Sequence, residues 1–479
     1  MSLLPLRRSL KKLNNMVNSI ISRRRESRLL FFMLASIFFL LSPCCERKFS
    51  TTPELGFKPN VLILSVESLR YDHVGCYGYS RPITPGIDAL AASGTLFEKA
   101  YAQSSWTRPS IASTLTSTYV SSHMMSNPES SDSGDGNEFP RLRAGFATVA
   151  SIFSDAGYTC FGWTSNKHLW PSFGFDRGFA EYNARIGDKA ALDRAIKTIE
   201  NREAPWLIFF HIMAPHWEYS PPPEYRAYDK YPRGISIKGD NWQKICNREI
   251  VLSREDLDHN IALYDGEIAY ADNMIGTILE TLRSNGGLEK TLVVITSDHG
   301  EEFLEHGGVG HGRSLYEEVI RVPLVMAGPS IPAGVRINAP VQNIDILPTI
   351  AEICGVKVPA HIQGASLGAA FTKKSGDPKH KLVFSEVENN RYSVTGVRFK
   401  YIYDPVSGKE ELYDIVADPA ETNNIAKIGA YEKVRIGLAE NARKRLEENR
   451  LLSKKMGPLD TVKAPSEVMK SLKTLGYFR

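Results

Sequence analysis

The chain has 479 residues, 42% hydrophobic and 23% charged, enough for one large α/β domain with a smaller appendage. Its formal charge of +4 does not mark a nucleic-acid surface, because the first 28 residues carry eight Lys or Arg against one acid, Glu26. The remainder is slightly acidic, about −3, so the basic excess is a topology signal.

Residues 29–41 form an apolar run, shorter than the ~20 residues that span a bilayer and suited to a signal h-region. Basic residues precede it, so the chain beyond is expected outside the cytoplasm, periplasmic or at the cell surface. Cys44 follows the run and resembles the lipid-attachment site of a bacterial lipoprotein. An uncleaved signal anchor and an ordinary cleaved signal are the alternatives. Membrane attachment is therefore assigned to residues 1–45, and residues 46–58 read as a polar tether. Cys76, Cys160, Cys246 and Cys354 match no zinc spacing, and an exported chain could pair them.

Residues 60–66 form the first apolar, β-branched run, a buried strand with Glu67 at its end. Residues 84–91 read as a helix start, and 97–102 lead back towards the first strand's end. Pro109 suits a helical first turn, which puts Thr107 at or just before a helix N-terminus, where orphan N–H groups favour an anion. Residues 124–138 are poor in apolar side chains and read as a surface loop. Residues 157–164 form a second strand, ending at Asn166 and Lys167. An amphipathic helix over 187–200 precedes a buried run over 206–213, which ends near His216. The prolines 221–223 open an irregular excursion to about residue 252. A long helix with an apolar stripe covers 256–282. Strands over 291–295 and 322–327 follow, with a helix start at 343–350. From about residue 382 the pattern becomes a hairpin-like meander with a basic helical tail. This alternation predicts an α/β fold: a mostly parallel central sheet sandwiched by helices over 59–380, and a smaller α+β subdomain over 381–479.

Asp298 and His299 leave the strand over 291–295 side by side, and His311 and Arg313 return shortly after. In an open parallel sheet the strands' carboxyl ends line one edge, where ligands bind. Glu67, Asp298, His299 and the Thr107 hydroxyl are thus expected to converge on one divalent metal. Zn²⁺ or Mn²⁺ suits an imidazole best, ahead of Mg²⁺ or Ca²⁺. Thr107 would act as nucleophile, with His216, His311 and Arg313 serving the reacting anion. Lys167, Asn166 and Arg108 are candidates for substrate binding. His211, inside an apolar strand, and His306, in a Gly-rich loop, are left without a role.

Taken together, residues 60–77, 84–91, 106–116, 297–312, 343–348, 412–419 and the closing Leu475, Gly476 and Tyr477 resemble the sulfatase family of the alkaline phosphatase superfamily. That resemblance implies a hydrolase of anionic esters. Formylglycine sulfatases resemble one another at Cys/Ser-x-Pro-x-Arg, whose first residue is oxidised to an aldehyde. Here Thr107 and Ile111 occupy the first and last positions. Oxidised threonine would be a ketone, and Glu67 with Ser68 replaces the usual paired aspartates. These departures argue against the aldehyde-hydrate route.

The quartet of Glu67, Thr107, Asp298 and His299 instead resembles that of lipoteichoic acid synthases and phosphoethanolamine transferases, which form a phospho-threonine intermediate. The expected activity is metal-dependent hydrolysis or transfer of phosphate (or sulfate) esters on an anionic substrate, lipid- or glycan-linked. A sulfatase without formylglycine, or a silent surface binding protein, would be the alternatives. No nucleic-acid partner is expected.

Overall fold

The computed structural model describes residues 56–126, 138–203, 205–371, 382–387, 390–466 and 468–470. The signal or anchor run at 29–41, Cys44, most of the 124–138 loop and the closing residues 475–477 lie outside them. Among the described residues no helix is long and apolar enough to cross a membrane.

The main sheet is built from β1 (Asn60–Val66), β2 (Thr95–Tyr101), β3 (Thr159–Thr164), β4 (Glu181–Asn183), β5 (Trp206–Ile212), β6 (Thr291–Ser297), β7 (Arg321–Ala327) and β8 (Val335–Gln342). Their order is β8-β2-β7-β6-β1-β5-β3-β4. All pairings are parallel except those of β7, which runs against both β2 and β6. Pro323 cannot donate to a ladder, and the β7–β2 register slips there, between Val322 and Leu324.

The central strands are buried from end to end, which explains their unbroken apolar sequence. Side chains alternate between two apolar layers. Helices cover them, among them α1 (Pro85–Ser93), α2 (Thr107–Thr116), α3 (Asp188–Asn201), α4 (Arg254–Ser284) and α5 (Ile346–Ile353). Val61 and Ile63 pack with Ile111 and Leu115 of α2 and Ile346 and Ile350 of α5. Leu62 and Leu64 pack with Ile87 of α1, Ile199 of α3 and Ile268 and Ile275 of α4. Ser253 caps α4 in a reciprocal box with Asp256, so the helix starts two residues before the expected 256. The four cysteines are unpaired, and Cys160 and Cys354 are buried thiols.

A second, antiparallel sheet is formed by β9 (Val383–Val387), β10 (Arg391–Thr395), β11 (Phe399–Asp404) and β12 (Lys409–Asp414). The helix α6 (Glu432–Lys455) packs on it through Leu438, Ala439 and Ala442. Lys400 of β11 is fully buried, with its ammonium 3.1 Å from Glu317 and 2.9 Å from Glu421. Glu421 also accepts the Glu317 amide at 2.6 Å. Truncating one partner of a buried ion cluster strands the others' charge. Lys400→Ala is expected to lower unfolding stability by about 3–5 kcal/mol, read as a shift of the denaturant midpoint. A loss under about 1 kcal/mol would show that water or another cation replaces Lys400.

Candidate active site

The carboxyl ends of β1, β5 and β6 meet the N-terminus of α2. Glu67 follows β1, and its amide still pairs with Ile212 of β5 at 2.8 Å. Ser68 then takes a left-handed backbone (φ 52°), which turns the chain away sharply. Its amide donates to Asp298 Oδ1 at 3.1 Å and its carbonyl accepts the Tyr264 hydroxyl at 2.6 Å. Gly300 has no room for a side chain, since a Cβ there would lie 2.0 Å from the Glu318 carbonyl. That close approach lets Asp298 and His299 leave β6 in a tight turn.

Glu67, Thr107, Asp298, His299 and His211 are all fully buried. The Thr107 hydroxyl donates to Glu67 Oε1 at 2.7 Å and lies 3.5 Å from His299 Nε2. His299 Nε2 is 3.1 Å from Glu67 Oε1 and 3.4 Å from Asp298 Oδ2. Its Nδ1 donates to the Gly300 carbonyl at 2.8 Å, which turns Nε2 towards the cluster. His211 Nε2 lies 2.7 Å from Glu67 Oε2. The sequence assigns His211 to strand packing, and the structure instead sets it against the Glu67 carboxylate. A histidine in a fully buried strand needs a polar partner, and that was the signal available.

The donor set fits a divalent cation. Donor atoms of Glu67, His211 and Asp298 lie within 4.8 Å of one another. Asp298 Oδ2 is buried and accepts no hydrogen bond among the described residues. Two carboxylates thus face one point with only imidazoles as counter-charge. Burial would raise the Glu67 carboxyl, but hydrogen bonds from His211 and His299 hold it well below the usual range. Burial, with Glu67 beside it, pushes Asp298 up to about 6. Glu67 and Asp298, with His211 or His299 and the Thr107 hydroxyl, are the residues that would hold the metal.

The remaining expected residues fall in two groups. His216 and His311 flank the cluster, their rings 5.3 Å apart, and His311 is 4.3 Å from the His299 ring. His216 Nδ1 donates to the Trp217 carbonyl, and burial pushes its imidazole down to about 4. It is therefore neutral near pH 7. His311 Nδ1 donates to Glu301 at 3.0 Å. Arg313 is exposed, with its guanidinium 4.8 Å over the Trp242 ring. Asn166 donates to Glu67 Oε2 at 2.6 Å, so the structure gives it a carboxylate partner inside the site. Lys167 is partly buried in the turn after β3. Arg108 is fully buried, 4.7 Å from both Phe139 and Phe173, and contacts His168 at 3.1 Å. His306 stands apart, pairing with Glu318 at 2.7 Å and stacking on Tyr316.

Comparison with known proteins agrees with this fold. A family model described as Sulfatase matches residues 59–356, and one described as N-sulphoglucosamine sulphohydrolase, C-terminal matches residues 305–449. An N-acetylglucosamine-6-O-sulfatase of Bacteroides thetaiotaomicron is 26% identical, over 82% of this chain and 87% of that protein. A Delta 4,5-hexuronate-2-O-sulfatase of the same organism is also 26% identical, over 79% and 86%. Among solved structures, the phosphonate monoester hydrolase of Agrobacterium radiobacter aligns with TM-score 0.67 at 22% identity. It covers 82% of this chain and 96% of its own, and at that identity it speaks for the fold.

Proposed function

The chain belongs to the sulfatase family, and from that premise we propose a metal-dependent ester hydrolase in which unmodified Thr107 is the nucleophile. The observation that carries this reading is the Thr107 hydroxyl, 2.7 Å from Glu67 Oε1 at a helix N-terminus. The substrate class is a phosphate or sulfate ester on an anionic, glycan- or lipid-linked molecule. When bound, a divalent metal (Zn²⁺ or Mn²⁺ ahead of Mg²⁺ or Ca²⁺) supplies a Lewis acid that lowers the Thr107 hydroxyl pKa and withdraws charge from the ester.

The chain's own groups do the rest. Thr107 Oγ1, held by its hydrogen bond to Glu67 Oε1 and with its proton lost to solvent, attacks the phosphorus or sulfur in line with the ester oxygen. The bond to that oxygen breaks, and His311 Nε2 protonates it. His216, neutral near pH 7, accepts a proton from water or an acceptor hydroxyl, which attacks the phosphorus or sulfur and releases the group from Thr107. Arg313 and Lys167 are the cations assigned to the reacting anion. The basic leader and the apolar run at 29–41 support export and membrane attachment, with the catalytic domain periplasmic or at the cell surface.

A second reading, sulfate-ester cleavage on a glycan, is favoured by the two Bacteroides relatives named for sugar sulfates. One experiment separates the readings. The protein is quenched in acid during turnover of a phosphodiester or of a sulfated sugar, and the peptide carrying Thr107 is analysed by mass spectrometry. Phospho-Thr107 or sulfo-Thr107 identifies the chemistry. Turnover with neither adduct, and with an aldehyde or ketone at position 107, would overturn the threonine route.

A further inference from the structure

The backbone around Arg313 is tied down from two sides. The Gly312 amide donates to the carbonyl of Ser105, two residues before Thr107, at 2.8 Å. The Arg313 carbonyl accepts Arg391. The side chain is exposed and joins no ion pair among the described residues. It is not loose, because its guanidinium carbon lies 4.8 Å over the Trp242 ring. Trp242 stacks in turn on Trp217, with centroids 5.3 Å apart and planes 13° from parallel. Trp217 follows His216, whose ring lies 6.1 Å away at 22°. Trp242 belongs to the short helix Asp240–Cys246, is 7% exposed, and shares an apolar cluster with Trp217, Ile245 and Val309. Gly310 makes room for the indole, since a Cβ there would stand 3.3 Å from Nε1. The irregular excursion between His216 and residue 252, which has no part in the mechanism above, thus brings a ring to the cation of the His311 loop.

Resting on the assignment of Arg313 to the reacting anion, we propose that Trp242 is a positioning residue that holds the Arg313 guanidinium ready for that anion. A long exposed side chain loses rotamer freedom when it grips a ligand, and stacking takes that loss before the ligand arrives. The stack uses the face of the guanidinium and leaves its in-plane N–H groups to donate. A flexible ammonium has no such planar fork to pre-organise, so lysine would not take the same support. Trp217 backs the indole and keeps its plane from turning.

The test measures inorganic phosphate binding by calorimetry on the full chain loaded with Zn²⁺, alongside kcat/KM on the ester the protein turns over. Trp242→Leu is expected to lower both about 5-fold, and Trp242→Phe, which keeps a ring face, by less than about 2-fold. In an Arg313→Ala background the same Trp242→Leu change should move neither by more than about 2-fold, because nothing remains to position. Arg313→Lys, made at an exposed position, should lose about as much as Trp242→Leu. An equal loss from Trp242→Leu with and without Arg313 would make Trp242 a packing residue and overturn the inference alone. Arg313→Lys with wild-type affinity and rate would overturn it as well, whether or not Trp242→Leu folds. Arg313→Ala with unchanged affinity and kcat/KM would overturn the assignment of Arg313 to the anion, and this inference with it.

Discussion

Thr107→Ala is expected to lower kcat on a model phosphodiester, or on whichever ester the protein turns over, by on the order of 10³-fold or more. The substitution removes the hydroxyl and the γ-methyl from a fully buried helix start, a small loss of volume beside an otherwise intact site. Fold and metal content should therefore survive, and KM should change far less than kcat. Thr107→Ser keeps the nucleophilic oxygen and should recover a large share of the rate. Full activity in Thr107→Ala would sink the nucleophile assignment, and equal losses in the Ala and Ser variants would make Thr107 a packing residue.

Stripping the metal with a chelator should abolish turnover, and Zn²⁺ or Mn²⁺ should restore it. The reason lies in the charge of the cage. Glu67 and Asp298 face each other with no Lys or Arg within ion-pair distance among the described residues. Burial alone would depress His299, yet Asp298 and Glu67 hold its imidazolium up to about 9 in the metal-free site. That proton must leave before Nε2 can ligate, so metal affinity should rise with pH from neutrality towards about 9. Titration calorimetry would show proton release on binding, through the dependence of the heat on buffer ionisation. Metal bound at 100 times its Kd should also add about 2.7 kcal/mol to unfolding stability. Affinity independent of pH, or chelation without effect on rate, would remove the metal from the reaction.

Much of this was legible in the sequence, for identifiable reasons. β1, β5 and β6 are unbroken apolar runs because both their faces are covered, so their ends could be located to within a residue or two. Glu67, Thr107, Asp298 and His299 could be gathered because parallel strands deliver their carboxyl ends to one edge. Three strands of the main sheet escaped. β2 mixes charged Glu98 and Lys99 into an apolar run, β4 is only three residues long, and β8 carries Pro340 at the sheet's edge, where a proline is tolerated. The partners of Arg108 and Asn166 were hidden as well. Stacking on Phe139 and Phe173 and contact with Glu67 depend on packing between distant segments, which no local pattern encodes.

The buried Lys400 has a further bearing, on modularity. Glu317, which it neutralises, opens the short helix Glu317–Ile320 that follows the loop of His311 and Arg313. Arg391 of β10 donates to the Arg313 carbonyl in that same loop. Removing residues 382–466 would take away both supports of the loop that carries His311 and Arg313. The C-terminal sheet is thus a buttress and not an exchangeable accessory. Recombining it between relatives should succeed only where the Lys400, Glu317 and Glu421 set travels as a unit.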